Sequence, residues 1–390
     1  MKSVIPSGRS VLEQINIDIG SLKNIKPSSK RSHYRAVNNW LEKYQPKANA
    51  SNLEQVQGYL EAFHHLCEIV EWQKAEIVLS VSINTITGTS YTLYRQLEIW
   101  GYYSQQIEIY KRLAENENVP STLSVIALVG LGNVYARLAN YTEAISYSQK
   151  AREQSHASNN LQGKSNALNN LGIAYAGMGK FKQAFGYFED SLKIATDAKL
   201  LPEQARALGD MGNTYGNLRQ FYKAINSLEQ CRAIACQLGD RVLESQALGN
   251  LGNAYGYLKN YAKASEYFEK YLTTSRELEN PSGEAIALNC LGELYRRTKQ
   301  YAQGISCFEQ SLSIARETRE LFSEGVALGN LGSTYGGMGN YQQAIEYHRQ
   351  ALAITRRIGD RQGIFLAQIN LTLTHLVLKF FRIWHRHNCN

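Results

Sequence analysis

Proline is scarce in this chain, six residues in 390, whereas glycine occurs thirty times. Few prolines permit long helices, but many glycines argue against them. Cysteine is rare too: the six copies form no C-x-x-C pair, so no disulfide framework is expected and a reducing cytoplasm is the expected location. No run of about twenty apolar residues occurs, so no membrane-spanning helix or membrane insertion is expected. The opening MKSVIPSGRSVLEQ lacks the apolar stretch of a secretory signal. Catalytic signatures are missing as well: there is no H-E-x-x-H, no G-x-S-x-G and no phosphate-binding loop. Gly249-x-x-Gly252 lies within a helical pattern and does not follow a strand, so it is no dinucleotide fingerprint. His64 and His65 are adjacent, hence about 100° apart on a helix and poor joint ligands. His385, His387 and Cys389 lie on a terminal segment expected to fray. Cys231 and Cys236 read as buried small residues of a helix. No catalytic residue, metal, cofactor or small-molecule substrate is expected, and the chain reads as a non-enzyme.

Charge is concentrated at the ends. Residues 1–50 carry nine Lys/Arg against three Asp/Glu, and residues 376–390 carry Lys379, Arg382 and Arg386 without an acid. The long middle is nearly neutral. The basic N-terminal segment is either a solvated end or an arm that meets nucleic acid or an acidic partner.

The middle of the chain repeats itself. ALVGLGNVYARLANYTEAISY begins at Ala127, and related stretches begin at Ala167, Ala207, Ala247, Ala287 and Ala327, a period of 40 residues without insertion. With the opening alanine as position 1, apolar residues fall at 2, 5 and 9, then at 15, 18, 19 and 22. That is helical spacing on either side of a break at 13–14, where Gly179, Asn140, Asn260 and Gly339-Asn340 act as stop signals. A second loop, such as Gly239-Asp240-Arg241 or Gly359-Asp360-Arg361, leads to the next unit, and Pro202 and Pro281 are placed in it. Each unit is therefore two antiparallel helices. The glycine surplus now finds a use. Position 6 is glycine in all six units, Gly132, Gly172, Gly212, Gly252, Gly292 and Gly332. Each costs roughly 1 kcal/mol against alanine in a helix. Close approach of the paired helix is the expected cause, with the small residue at position 18 (Ala144, Ala184, Ala224, Ala264, Gly304, Ala344) as its counterpart and the tyrosine at position 9 beside it.

This pattern, Leu-Gly-x-x-Tyr followed by a small residue and then an aromatic, resembles the tetratricopeptide repeat. The 40-residue length with L-G-N-L-G-N-x-Y is similar to the longer LGN-type units of G-protein-regulator scaffolds and of bacterial, cyanobacterial-like arrays. The Gα-binding motifs of those regulators are absent from this sequence. Trp100-Gly101-Tyr102-Tyr103 ahead of the repeats resembles arrays that accompany nucleotide-binding signalling ATPases, although no Walker motif is present. Position 22 departs from an aromatic at Ser148, Leu228 and His348, where looser packing is expected.

The expected fold is all-α, a right-handed α-solenoid of about eight to nine stacked antiparallel helix pairs. Residues 1–46 form a basic, partly helical segment. Residues 47–126 form two diverged hairpins, with Tyr59, Ala62, Leu66, Trp72, Ala75 and Leu79 packing the first and a helix over about 88–99 opening the second. Residues 127–366 hold six full units. Residues 367–390 form a truncated seventh unit that caps the array, with Phe381 at position 15 and Trp384 where the small residue belongs.

Positions 0, 3, 4, 7, 10 and 11 face away from the packed side of each first helix. The resemblance implies that first helices line a concave groove, so those positions form its wall: Asn133, Arg137, Asn170, Asn213, Asn217, Asn250, Asn253, Tyr257, Glu293, Arg296, Arg297 and Asn330. An amide carries a donor and an acceptor and suits the backbone of an extended peptide, and the arginines suit acidic side chains. The asparagines have a second reading, bonds between neighbouring first helices. The function implied is a non-catalytic scaffold that holds an extended or helical segment of another protein, with nucleic acid not the expected ligand. The rival is a sensor that exposes its basic N-terminal arm.

Overall fold

The computed structural model describes residues 5–17, 20–47, 49–84, 90–358 and 360–388. The chain is an α-solenoid of stacked antiparallel helix pairs, with one short β-hairpin among the described residues. It divides into two compact units, Met1–Glu244 and Ser245–Asn390.

The first unit opens with α1 (Gly8–Gln14) and α2 (Ser28–Asn38), followed by a π-helical turn over Asn39–Lys43. The hairpin of α3 (Asn52–Glu68) and α4 (Trp72–Leu79) comes next. Ser51 caps α3, its hydroxyl accepting the Glu54 N–H while Glu54 accepts the Ser51 N–H at 2.7 Å, a capping box. Val11, Leu12, Ile15, Val37 and Leu41 are buried in one core with Val56, Phe63 and Leu66. The N-terminal segment is thus folded onto α3 and α4. Lys30 and Lys74 both pair with Glu71, at 2.6 and 3.5 Å.

One element was not anticipated. Residues expected to start a helix at about 88 include β2 (Ser90–Thr92), which pairs antiparallel with β1 (Ser82–Asn84), Ile83 opposite Tyr91. The run SYT has the β-branched and aromatic character of a strand. The helix α5 (Leu93–Ile99) begins only after it, and α6 (Tyr103–Ala114) completes that hairpin.

The repeats follow the sequence closely. The first unit contains α7 (Ser121–Arg137) with α8 (Tyr141–Ala157), α9 (Leu161–Gly177) with α10 (Phe181–Asp197), and α11 (Leu201–Asn217) with α12 (Phe221–Leu238). The boundary between units falls within α13 (Arg241–Tyr257). The second unit continues with α14 (Tyr261–Glu277), α15 (Pro281–Arg297), α16 (Tyr301–Thr318), α17 (Leu321–Gly337) and α18 (Tyr341–Ile358), and ends with α19 (Arg361–Asn388). Pro202 and Pro281 sit in the first turn of α11 and α15 instead of in the loops, where a missing N–H is harmless.

The chain turns between paired helices through one left-handed residue at position 13. It is Gly179 and Gly339 in two units, but Ala139, Arg219, Lys259 and Lys299 in the others. Each turn is closed by the position-14 N–H donating to the carbonyl of the position-9 tyrosine, as Asn140 does to Tyr135 and Asn340 to Tyr335, both at 2.9 Å. That bond outweighs the left-handed penalty of a non-glycine residue.

The position-6 glycines are needed for a different neighbour than expected. A Cβ at Gly132, Gly172, Gly212, Gly252, Gly292 or Gly332 would come under 3.0 Å from Ser148, Phe188, Leu228, Phe268, Phe308 or His348 respectively. All six are position-22 side chains, laid across the bare backbone of the first helix. The small residues at position 18 approach that backbone too, since a Cβ on Gly304 would meet the Gly292 carbonyl at 3.1 Å. In four repeats the position-9 tyrosine stacks instead on a tyrosine at position 21, with centroids 5.6 Å apart for Tyr135–Tyr147 and 5.4 Å for Tyr335–Tyr347.

The seventh unit is not built as expected. The described part of α19 runs unbroken for 28 residues, with no turn where a second helix would start. Positions 2, 6 and 9, elsewhere Leu, Gly and Tyr, are here Gln368, Thr372 and His375. The surface that receives a partner helix in the other units has turned polar. The side chains of Phe381, Trp384, His385 and His387, together with Cys389, lie outside the described residues, as does Gly359. One 18-residue window, Gly363–Phe380, is long and apolar enough on average to match a membrane span, against the sequence expectation.

Two outcomes test this packing. Gly252→Ala drives a methyl into Phe268 and lowers the thermal midpoint, at a cost of about 1–3 kcal/mol. Gly186→Ala, in α10 with nothing within 4 Å of its Cβ, raises it through a gain in stability of up to about 1 kcal/mol. His348 is buried with Nδ1 unpartnered, and burial pushes its pKa below the ordinary imidazole value. The unfolded chain therefore takes a proton as pH falls through about 6.5 while the folded chain resists it, so stability is lost below that pH. Melting curves across this range show His348→Phe more stable than the parent and flatter in its pH response.

Candidate functional site

Within each unit, successive first helices touch one another, as α7, α9 and α11 do and as α15, α17 and α19 do, while second helices pack on the first helices flanking them. The first helices therefore form the tighter, inner layer, and positions 0, 3, 4, 7, 10 and 11 give each unit an inner wall.

In the first unit this wall is bonded to itself. Glu98 on α5 holds Arg95 at 2.8 Å and Arg137 of α7 at 2.9 Å, and Asn133 donates to it at 3.5 Å. Asn170 on α9 is buried and donates to the Val129 carbonyl of α7 at 2.8 Å. Asn169 donates to Asp210 of α11 at 2.6 Å. Arg206 on α11 donates to Asn166 at 3.2 Å, and Glu203 accepts from Gln162 at 2.9 Å. These partners lie about one repeat apart, so the network ties neighbouring first helices together. Burial would raise the Glu98 carboxyl, but Arg95, Arg137 and Arg206 outweigh it and hold the group at about 2. Burial wins at Asp210, whose carboxyl is raised despite the Asn169 bond and the Arg137 and Arg206 charges. Of the predicted wall residues here, Asn133, Arg137 and Asn170 are committed to this network. Asn213 and Asn217 on α11 are exposed, with no bond to another described residue.

The second unit's wall is open. Asn250 on α13 and Asn330 on α17 are partly exposed, and their amides have no bond to another described residue. Asn253 is exposed, and among the described residues its side chain is bonded only by the Cys290 thiol, 3.9 Å from its carbonyl oxygen. Glu293 on α15 is bracketed by Arg296 at 2.7 Å and Arg297 at 2.8 Å. Burial works against its charge, but the two guanidinium groups keep its pKa below the usual range. The Arg297 guanidinium lies 5.7 Å from the Tyr257 ring centroid. Sequence reasoning missed a row of aliphatic side chains at position 0 of this wall: Ile286 on α15, Val326 on α17 and Leu366 on α19 are all exposed. Their signal was the recurrence of an exposed apolar residue 40 positions apart.

No group of three metal-ligating side chains is found among the described residues. Cys231 is buried, its thiol pushed up to about 12 by burial, whereas Cys236 is exposed, against the sequence expectation.

Glu98 offers a check on the self-bonded wall. Its folded pKa lies below the unfolded value, so the stability it contributes is present above about pH 4.3 and is lost as the pH falls towards its folded value. With a side chain 12% exposed, Glu98→Gln costs roughly 1–3 kcal/mol at neutral pH and removes that share of the acid dependence, as read by urea unfolding.

The tetratricopeptide repeat family profile matches residues 123–197, 203–277 and 283–357, together more than half of the chain. No curated protein matches it in sequence. Among solved structures, the signal transduction ATPase with numerous domains from Pyrococcus horikoshii, which carries a tetratricopeptide repeat sensor, is similar at 15% identity and a TM-score of 0.62 over 91% of this chain. This chain spans 50% of that one. A Rap protein complexed with competence and sporulation factor is similar at 14% identity and a TM-score of 0.53, covering 84% of this chain and 99% of its own. Aspartyl phosphate phosphatase F from Bacillus subtilis is similar at 15% identity and 0.52, covering 88% and 87%. These likenesses establish the shared fold, and with the repeat match the chain belongs to the tetratricopeptide repeat family, whose members commonly mediate protein–protein interaction.

Proposed function

We propose that the protein is a non-catalytic, cytoplasmic scaffold that holds an extended or helical segment of another protein against its inner wall, in an array of the 40-residue LGN-like kind. The observation that carries this reading is the contrast along the wall. In the first unit Asn133, Arg137 and Asn170 are spent on neighbouring helices, whereas in the second unit Asn250, Asn253 and Asn330 present amides with no acceptor or donor among the described residues beyond a distant thiol. A solvated amide ladder on rigid helices loses little entropy when it bonds a peptide backbone. The Arg296 and Arg297 pair favours an acidic side chain on the ligand, and Ile286 and Val326 favour an aliphatic one. A Rap protein of similar fold is complexed with competence and sporulation factor, which supports a binding role for this fold.

Selection of displayed random peptides tests the reading. Selected peptides are expected to combine acidic and aliphatic residues. Asn253→Ala/Asn330→Ala weakens them about tenfold or more, since each lost hydrogen bond costs about 1 kcal/mol. Both side chains lack strong intramolecular partners, so the thermal midpoint stays unchanged. Peptides that bind the double variant as tightly as the parent would remove the inner wall as the site.

A further inference from the structure

The helix α19 is apolar on two sides, and the structure uses only one. Ile364, Ala367, Asn370, Leu371, Thr374 and Leu378 lie on its sheltered side, and the helix packs on α17 and α18. On another side Phe365, Leu366, Ile369, Leu373, Leu376, Val377 and Phe380 are exposed, Leu373 at 54% and Phe380 at 69%. A helix apolar on so much of its circumference belongs in a core. Leu366, Ile369, Leu373, Leu376 and Val377 occupy positions 0, 3, 7, 10 and 11, which in the preceding first helices of this unit carry mainly Asn, Gly, Ser, Glu or Arg. The positions where its own second helix would dock are polar. Whatever covers α19 therefore approaches from the inner side, and no described segment of this chain does so.

We infer that α19 pairs with α19 of a second copy, antiparallel, along this stripe. Three observations select that occupant. Leu366, Ile369, Leu373, Leu376 and Phe380 follow the 3-4-3-4 spacing of a coiled-coil seam, a pattern that matches another helix with the same spacing. The seven exposed side chains offer on the order of 700 Å² of surface, more than the largest patch of a typical monomer at about 300–600 Å² and close to the ~800 Å² each partner buries in a standard interface. The helix carries Arg361, Lys379, Arg382 and Arg386 and no acid. A parallel pair would stack the three C-terminal charges on their counterparts, and a two-fold antiparallel pair separates them. A membrane span fits less well, because Gln368, Thr372, His375 and Lys379 form a polar strip along the same length. The inference is independent of the peptide reading, since it concerns a different partner.

Sedimentation equilibrium of the full chain at tens of micromolar is expected to give twice the chain mass of 43.9 kDa. Leu373→Glu, at an exposed position, is expected to give the single-chain mass with unchanged far-ultraviolet circular dichroism and thermal midpoint in dilute protein. Gln368→Glu, on the polar strip, leaves the dimer intact. A monomeric parent overturns the inference, as does a dimer that survives Leu373→Glu. Flotation with phosphatidylserine–phosphatidylcholine vesicles gives the remaining outcome: a chain that binds vesicles as a monomer through this stripe assigns the surface to lipid and also overturns it.

Discussion

The contact between a bare backbone at position 6 and the side chain at position 22 sets the spacing of every helix pair in the repeats. A phenylalanine lies across glycine in three pairs, through Phe188, Phe268 and Phe308, and Leu228 does the same in a fourth. Removing the Cβ costs helix propensity, but it lets an aromatic or aliphatic side chain bury against main chain, which is worth about 1.5–3 kcal/mol for a large side chain. The position-13 turn follows from that contact. Helices held so close leave room for only a tight reversal, so even Ala139, Arg219, Lys259 and Lys299 adopt a left-handed backbone.

Pairs of this geometry stack with first helices on the inside, and the stack gives one repeat position two possible fates. Where charged and amide side chains meet a complement one repeat away, they cross-link the wall, as around Glu98 and Asp210. Where they meet none, they face water. The first unit takes mainly the former course and gains rigidity from it. The second unit takes the latter, and its wall adds an aliphatic row at Ile286, Val326 and Leu366. Binding capacity along such a wall depends on what is left over after the helices have satisfied one another.

Much of the fold was legible in the linear pattern. A 40-residue period with two apolar stripes and a break between them requires a helical hairpin, and six such units without insertion require stacking. The residue that fills the glycine space was not legible, because positions 18 and 22 both lie on the packed face of the second helix and spacing alone does not rank them. The strand at Ser90–Thr92 was hidden by its shortness beside a good helical pattern.

The candidate site divides along the same line. Helical spacing put the amides and arginines on one face of each first helix, and the resemblance to the repeat family implied that this face is the inner wall. Asn170 and Asn330 share a repeat position and a side chain, yet one donates to Val129 and the other faces solvent. That difference rests on the neighbouring helix, at a distance of one repeat, and no local pattern encodes it. The same holds for α19. Its sequence announces a helix in frame with the others, but only packing against α17 and α18 shows which of its apolar sides is covered. Hydrophobic burial has no direction of its own, and the side it takes is set by where neighbours stand.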